Sequence, residues 1–187
     1  QILIKASDTK GFFYALQSIR QLLPAAIESG QPVKNVVWSV PAVTIQDEPR
    51  FGFRGLLLDP VRCFIPQENV LRIIDWMAML KINKLHFHLT DDNGWRIEIK
   101  KYPRLTEVGA WRVDRTDVPF HSRRNPKWGE PTPIGGFYTQ EDIREIVAYA
   151  ADRQIEVIPG IDVPAHSNAA LAAYPVSYTH LRAHETK

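Results

Sequence analysis

Three short apolar runs each end in a small group of polar side chains. Asp59 and Arg62 follow Gly55-Leu56-Leu57-Leu58, Asp91 and Asp92 follow Lys84 to Thr90, and Asp162 and His166 follow Glu156 to Ile161. A carboxylate near a guanidinium and an imidazole can hold hydroxyl groups and help to move a proton, since Arg keeps its charge and His changes its own near neutral pH. Any one of these aspartates reads equally well as a turn or helix cap. Their recurrence at the same place in the pattern favours one shared site. His86 and His88 lie two apart, so on a strand they share a face, and with Asp91, Asp92 and His166 they offer nitrogen and oxygen ligands to a divalent metal. Metal-dependent hydrolysis is therefore a rival reading, against hydrogen-bonded wall histidines set among Leu85, Phe87 and Leu89. Trp95, Trp111 and Trp128, with Tyr102, Phe137 and Tyr138, supply either an aromatic wall for a sugar ring or packing for a long loop. The adjacent pair Asp47-Glu48 precedes the first run and so lies away from the other groups.

The elements that must carry these residues follow from periodicity. Gly55 to Asp59 is apolar without alternation, as in a strand covered on both faces of a parallel sheet. Pro66 stands where a helix begins, and Val70, Ile73, Ile74, Met77 and Leu80 form its apolar stripe to about Lys81. Residues 84–90 form the next strand, 91–138 a long loop, and Thr139 with Asp142 starts a helix buried through Ile143, Ile146, Val147 and Ala150. Residues 156–161 make the third strand. Ahead of this βα series, residues 1–6, 36–40 and 43–45 are expected as strands, and Phe12, Ala15, Leu16, Ile19, Leu22 and Leu23 as a helix stripe. Residues 1–48 thus read as the end of a small α/β accessory domain. In a parallel βα fold the C-terminal strand ends form one rim, where active sites are built. A closed (β/α)₈ barrel takes about 250 residues, so the scheme predicts either an open doubly wound sheet or the first part of a barrel.

Composition narrows the classes. The 187 residues carry 23 Lys+Arg and 21 Asp+Glu for a formal charge of +2, with 44% hydrophobic residues. That balance supports a packed core and leaves no basic face for nucleic acid. Cys63 alone makes no internal disulfide or thiolate cluster. No run reaches the roughly 18 apolar residues of a membrane span. The first residues show no basic and apolar leader pattern, and the chain reads as continuing from something longer.

Longer motifs then become recognisable. They are residues 54–64 (RGLLLDPVRCF), residues 86–99 (HFHLTDDNGWRIEI), Gly135-Gly136-Phe137-Tyr138-Thr139 and residues 158–167 (IPGIDVPAHS). These closely resemble the family-20 glycoside hydrolases, the β-N-acetylhexosaminidases, over about residues 1–175. The resemblance implies a partial (β/α)₈ TIM barrel over 49–175 and a non-native tail over 176–187, which removes His180, His184 and Glu185 from any site. It further implies release of terminal β-linked N-acetylglucosamine or N-acetylgalactosamine with retention, the substrate's acetamido oxygen attacking the anomeric carbon. It implies no cofactor and no metal, with N-acetylhexosamine glycans as partners. By resemblance, Asp91 and His166 are the catalytic pair that bonds toward the general acid. Arg62 holds sugar hydroxyls, and Asp92 and His86 complete the substrate-binding set, His86 facing either the site or the wall. The family's adjacent Asp-Glu pair after a fourth strand has no counterpart here, so the 187-residue chain alone is expected to be inactive. Gly160 and Ala165 stand where the family usually has Glu and Gly. A non-catalytic glycan-binding module is the remaining alternative.

Overall fold

The apolar runs become strands because each finds a neighbour on which to complete its hydrogen-bond ladder. In the computed structural model, which describes residues 1–122, 124, 127 and 129–175, the chain order is α1 (Thr9–Leu22), β1 (Gly55–Leu58), α2 (Gln67–Met79), β2 (Lys84–His88), β3 (Thr90–Asp91), β4 (Gly94–Trp95), α3 (Arg104–Glu107), β5 (Trp111–Arg112), β6 (Ile134–Gly135), α4 (Gln140–Asp152), β7 (Glu156–Gly160) and α5 (Asn168–Ala173). Strands β1, β2 and β7 form one parallel sheet in that spatial order. Leu57 lies beside His86 and His86 beside Ile158, while Leu58 lies beside Phe87 and Phe87 beside Pro159.

That register sorts the side chains onto two faces. Leu85 and Phe87, with Leu56, Leu58 and Val157, pack against Val70, Ile74 and Met77 of α2 and Ile146 and Ala150 of α4. Fully burying a side chain the size of Leu85, Phe87, Val70, Ile74, Met77 or Ile146 is worth about 1.5–3 kcal/mol. The opposite face carries Leu57, 57% exposed, with His86 and Ile158 half-buried. A doubly wound sheet has helices on both faces, whereas a (β/α)₈ barrel has them only outside. Helices α2 and α4 share one face, so the architecture is that of a partial barrel.

Helix α4 begins with a reciprocal capping box, in which Thr139 Oγ accepts from the Asp142 N–H and the Asp142 carboxylate accepts from the Thr139 N–H. Helix α1 docks on the end of α2. Gln21 Nε2 donates to the Met79 carbonyl at 3.0 Å, and Lys81 Nζ reaches both Ser18 Oγ (2.7 Å) and Asp47 (2.6 Å).

Several expectations are corrected. Residues 1–6, 36–40 and 43–45 form no strand. Among the described residues no ladder partner lies beside them, and Val37 is 81% exposed. The second strand stops at His88 rather than running to Thr90. Asp92-Asn93 turns the chain so that Thr90 pairs antiparallel with Trp95, because such dipeptides suit a two-residue hairpin. The long loop contains α3 and the β5–β6 ladder, which are too short to show a period in sequence. Trp128 and residues 176–187 lie outside the described residues.

Candidate active site

The rim groups meet at Asp91. At the end of β1, Asp59 Oδ1 accepts from the N–H groups of Val61 (2.9 Å) and Arg62 (3.1 Å), which closes a tight turn. Asp59 Oδ2 then takes Arg62 Nη1 at 2.8 Å, and Arg62 Nη2 extends to Asp91 Oδ2 at 2.5 Å. From β2, His88 Nε2 lies 3.0 Å from the same Asp91 oxygen. The hairpin turn brings the Asp92 N–H to Asp91 Oδ1 at 2.6 Å. Beyond β7, His166 Nδ1 lies 3.3 Å from Asp91 Oδ1 and 3.6 Å from Asp92 Oδ2. Asp92 Oδ1 also accepts from the Asn168 N–H at the start of α5, and Thr90 Oγ accepts from the Asp162 N–H. His166 adopts φ 54°, a left-handed conformation uncommon outside glycine and seen where surrounding contacts over-determine the backbone.

Asp91 is only 3% exposed, and burial by itself pushes a carboxylic acid toward its neutral form. The Asp92 N–H, His88, Arg62 and His166 together outweigh that, and the Asp91 carboxyl titrates below its ordinary value of 3.8. It is therefore an anion at neutral pH. Its exposed partners are Arg62 and His166, at 48% and 55%. The arrangement offers a solvent-facing fork of donors for hydroxyl groups and an imidazole steadied from behind by a carboxylate.

The sequence-predicted residues Arg62, Asp91, Asp92 and His166 are thus brought together. His86 is not. It stands one register step back on the open sheet face, its Nε2 against the position a Cβ would take at Gly160, and makes no hydrogen bond or ion pair with the cluster among the described residues. His88, which the sequence offered only as a metal ligand or wall residue, is the histidine that reaches Asp91. Its place beside the turn at Asp92 was the available signal. Tyr138 is no part of an exposed aromatic wall: it is 1% exposed and its hydroxyl donates to the Ile65 carbonyl. Trp95 is half-buried with Nε1 donating to the Ile97 carbonyl, and Tyr102 packs edge-on to Tyr174. Arg96, an arginine in the apolar run Trp95-Arg96-Ile97, is buried to 1% exposure and holds four loop carbonyls.

Two sets of ligand atoms lie within 4.8 Å of one another, His88 with Asp91 and Asp162, and Asp91 with Asp92 and His166; His86 belongs to neither. Both sets need Asp91, whose oxygens already face Arg62, His88, His166 and an N–H. The guanidinium at 2.5 Å would repel a cation placed there. No described helix is long and apolar enough to cross a membrane.

Residues 51–187 match the profile of the glycosyl hydrolase family 20 catalytic domain, and residues 1–48 that of the same family's domain 2. The chain is 51% identical to a β-hexosaminidase of Porphyromonas gingivalis across 92% of this chain and 20% of that protein. It is 47% identical to a β-hexosaminidase of Vibrio furnissii across 93% of this chain and 26% of that protein. Among solved structures, a GH20 exo β-N-acetylglucosaminidase of Vibrio harveyi in complex with N-acetylglucosamine superposes with a TM-score of 0.73 at 39% identity. It covers 91% of this chain and 25% of that one. The chain therefore spans about a fifth to a quarter of the length of these relatives.

Proposed function

Since this chain belongs to glycosyl hydrolase family 20, we propose that it supplies part of the active site of an exo-acting β-N-acetylhexosaminidase, one that releases terminal β-linked N-acetylglucosamine or N-acetylgalactosamine from glycans. The observation that carries this reading is the buried Asp91 carboxylate shared between Arg62 and His166 at the C-terminal rim. In substrate-assisted retention the sugar's own acetamido oxygen attacks the anomeric carbon, so the protein's work is to hold the sugar, protonate the leaving oxygen and steady the developing charge. Arg62 donates to neighbouring sugar hydroxyls through its planar fork, with Asp59 and Asp91 fixing the plane. Asp91 holds the His166 ring so that its other nitrogen points toward the general acid and tunes that group's protonation. Asp92 restrains the same imidazole from the side.

The test is turnover of an aryl β-N-acetylglucosaminide by the full-length protein in the presence of EDTA. Undiminished release of the aryl group is expected. Loss of activity in the chelator and its return with zinc would instead support a metal-dependent hydrolase built on the two ligand sets around Asp91. Binding of N-acetylglucosamine without turnover would make the protein a glycan-binding module.

A further inference from the structure

We propose that Arg96, with no reach to the substrate, is a positioning residue that sets the place of Arg62 by gripping the backbone behind it. Arg96 Nε donates to the Pro60 carbonyl (3.1 Å) and Nη2 to the Val61 carbonyl (2.7 Å), while Nη1 donates to the carbonyls of Ala110 (2.6 Å) and Gly136 (2.9 Å). From the other side, Arg112 Nη2 donates to the carbonyl of Arg62 itself. Three consecutive carbonyls, at 60, 61 and 62, are thus taken by two arginine side chains, while Asp59 takes the N–H groups of Val61 and Arg62. This segment follows the end of β1 and has no ladder of its own, so outside side chains set its course.

Hydrogen-bonded to carbonyls alone, a guanidinium is an expensive thing to bury, and such residues are almost never fully buried unless paired. Burial pulls Arg96 down to about 10, which still leaves it charged at neutral pH. What the arrangement secures is geometry, since a rigid five-donor fork fixes several acceptors in one plane. The surroundings are shaped to admit it: a Cβ on Gly94 would come within 2.6 Å of the Arg96 guanidinium, and the Phe64 ring lies 5.8 Å from its central carbon. Arg96 so ties the loop after β1 to the segments at Ala110 and Gly136, leaving the Arg62 guanidinium free to face Asp59, Asp91 and solvent.

The inference rests on the reading of Arg62 as the sugar-holding residue, and a double-mutant cycle separates the two. Wild type, Arg62→Ala, Arg96→Lys and the double variant are compared in the full-length enzyme on an aryl β-N-acetylglucosaminide. Arg96→Lys keeps the charge but loses the fork. It is expected to lower kcat/KM about tenfold, chiefly through KM, and to cost less than about twofold once Arg62 is already Ala. Equal losses in both backgrounds would overturn the inference while leaving the role of Arg62 intact. An Arg62→Ala enzyme with unchanged KM would overturn both. If Arg96→Lys fails to fold, Arg112→Met decides. Arg112 is half-buried and holds the same segment, so its loss of about threefold in kcat/KM should likewise vanish in the Arg62→Ala background, and an additive loss would sink the proposal.

Discussion

At the scale of single residues, Asp91 is the hub of the candidate site, because one buried carboxylate answers to groups from three different strand ends. On the proposed reading, Arg62→Ala in the full-length protein removes a charged donor to the sugar and is expected to lower kcat/KM by roughly 10–150-fold, with a raised KM, in steady-state kinetics. Asp91→Asn should act mainly on kcat and on its pH profile, since it frees the His166 ring rather than a substrate contact. The substitution also bears on stability. Asp91 titrates lower when folded than when unfolded, so the unfolded chain takes up the proton first as pH falls. Its stabilisation is present above the ordinary value of 3.8 and is lost as pH drops below it. Urea midpoints measured against pH should fall less steeply on the acid side for Asp91→Asn than for wild type, and identical slopes would refute this. Arg62, Asp91, Asp92 and His166 were legible in the sequence because each follows closely on the end of an apolar run. The choice between His86 and His88 was not, since a two-residue period places both on one face and only the turn at Asp92-Asn93 decides which one meets Asp91. Arg96 was invisible because its partners are main-chain carbonyls, which carry no sequence signature.

Among the elements, those with strong local signals formed where expected. Thr139 and Asp142 announce α4 through side chains that satisfy the helix's own first N–H groups. In the full-length protein, Thr139→Ala should cost about 1 kcal/mol, read as a lower urea midpoint with an unchanged slope. Gly136 is a second test. Its φ of 147° is rarely adopted by other residues, and a Cβ there would meet the Phe64 ring at 2.5 Å, so Gly136→Ala should lower the melting temperature and loosen the carbonyl that Arg96 holds. Near-wild-type melting would show that the ring can give way. The strands expected at 1–6, 36–40 and 43–45 were misread because β-propensity records a fit to a half-buried sheet surface, and no described strand lies alongside to provide one. Helix α1, by contrast, needed only its own apolar stripe and the Asp8 cap on the Gly11 N–H.

For the whole molecule, the sheet's open face is the dominant feature. On that face Leu57 is 57% exposed, and among the described residues β1 and β7 each have a strand partner on one side only. Produced on its own, the 187-residue chain is expected to self-associate and to melt without a cooperative transition, as exposed edges and apolar surface dictate. Size-exclusion chromatography and calorimetry would show it, and a monodisperse, sharply melting monomer would contradict it. The spacing of the sheet pairs also orders events in time. Strands β1 and β2 pair across about 30 residues, as at Arg54 and Asn83, which are 29 apart, whereas Lys84 and Glu156 of β2 and β7 are 72 apart. The longer closure adds only about 0.8 kcal/mol of chain entropy, so it hardly weakens the folded state. It does delay it, because distant pairings are reached last. In pulse-labelled hydrogen exchange, the β1–β2 amides should gain protection before those of β7. Because Asp162 and His166 ride on the end of β7, they join the candidate site only after β1 and β2 have paired.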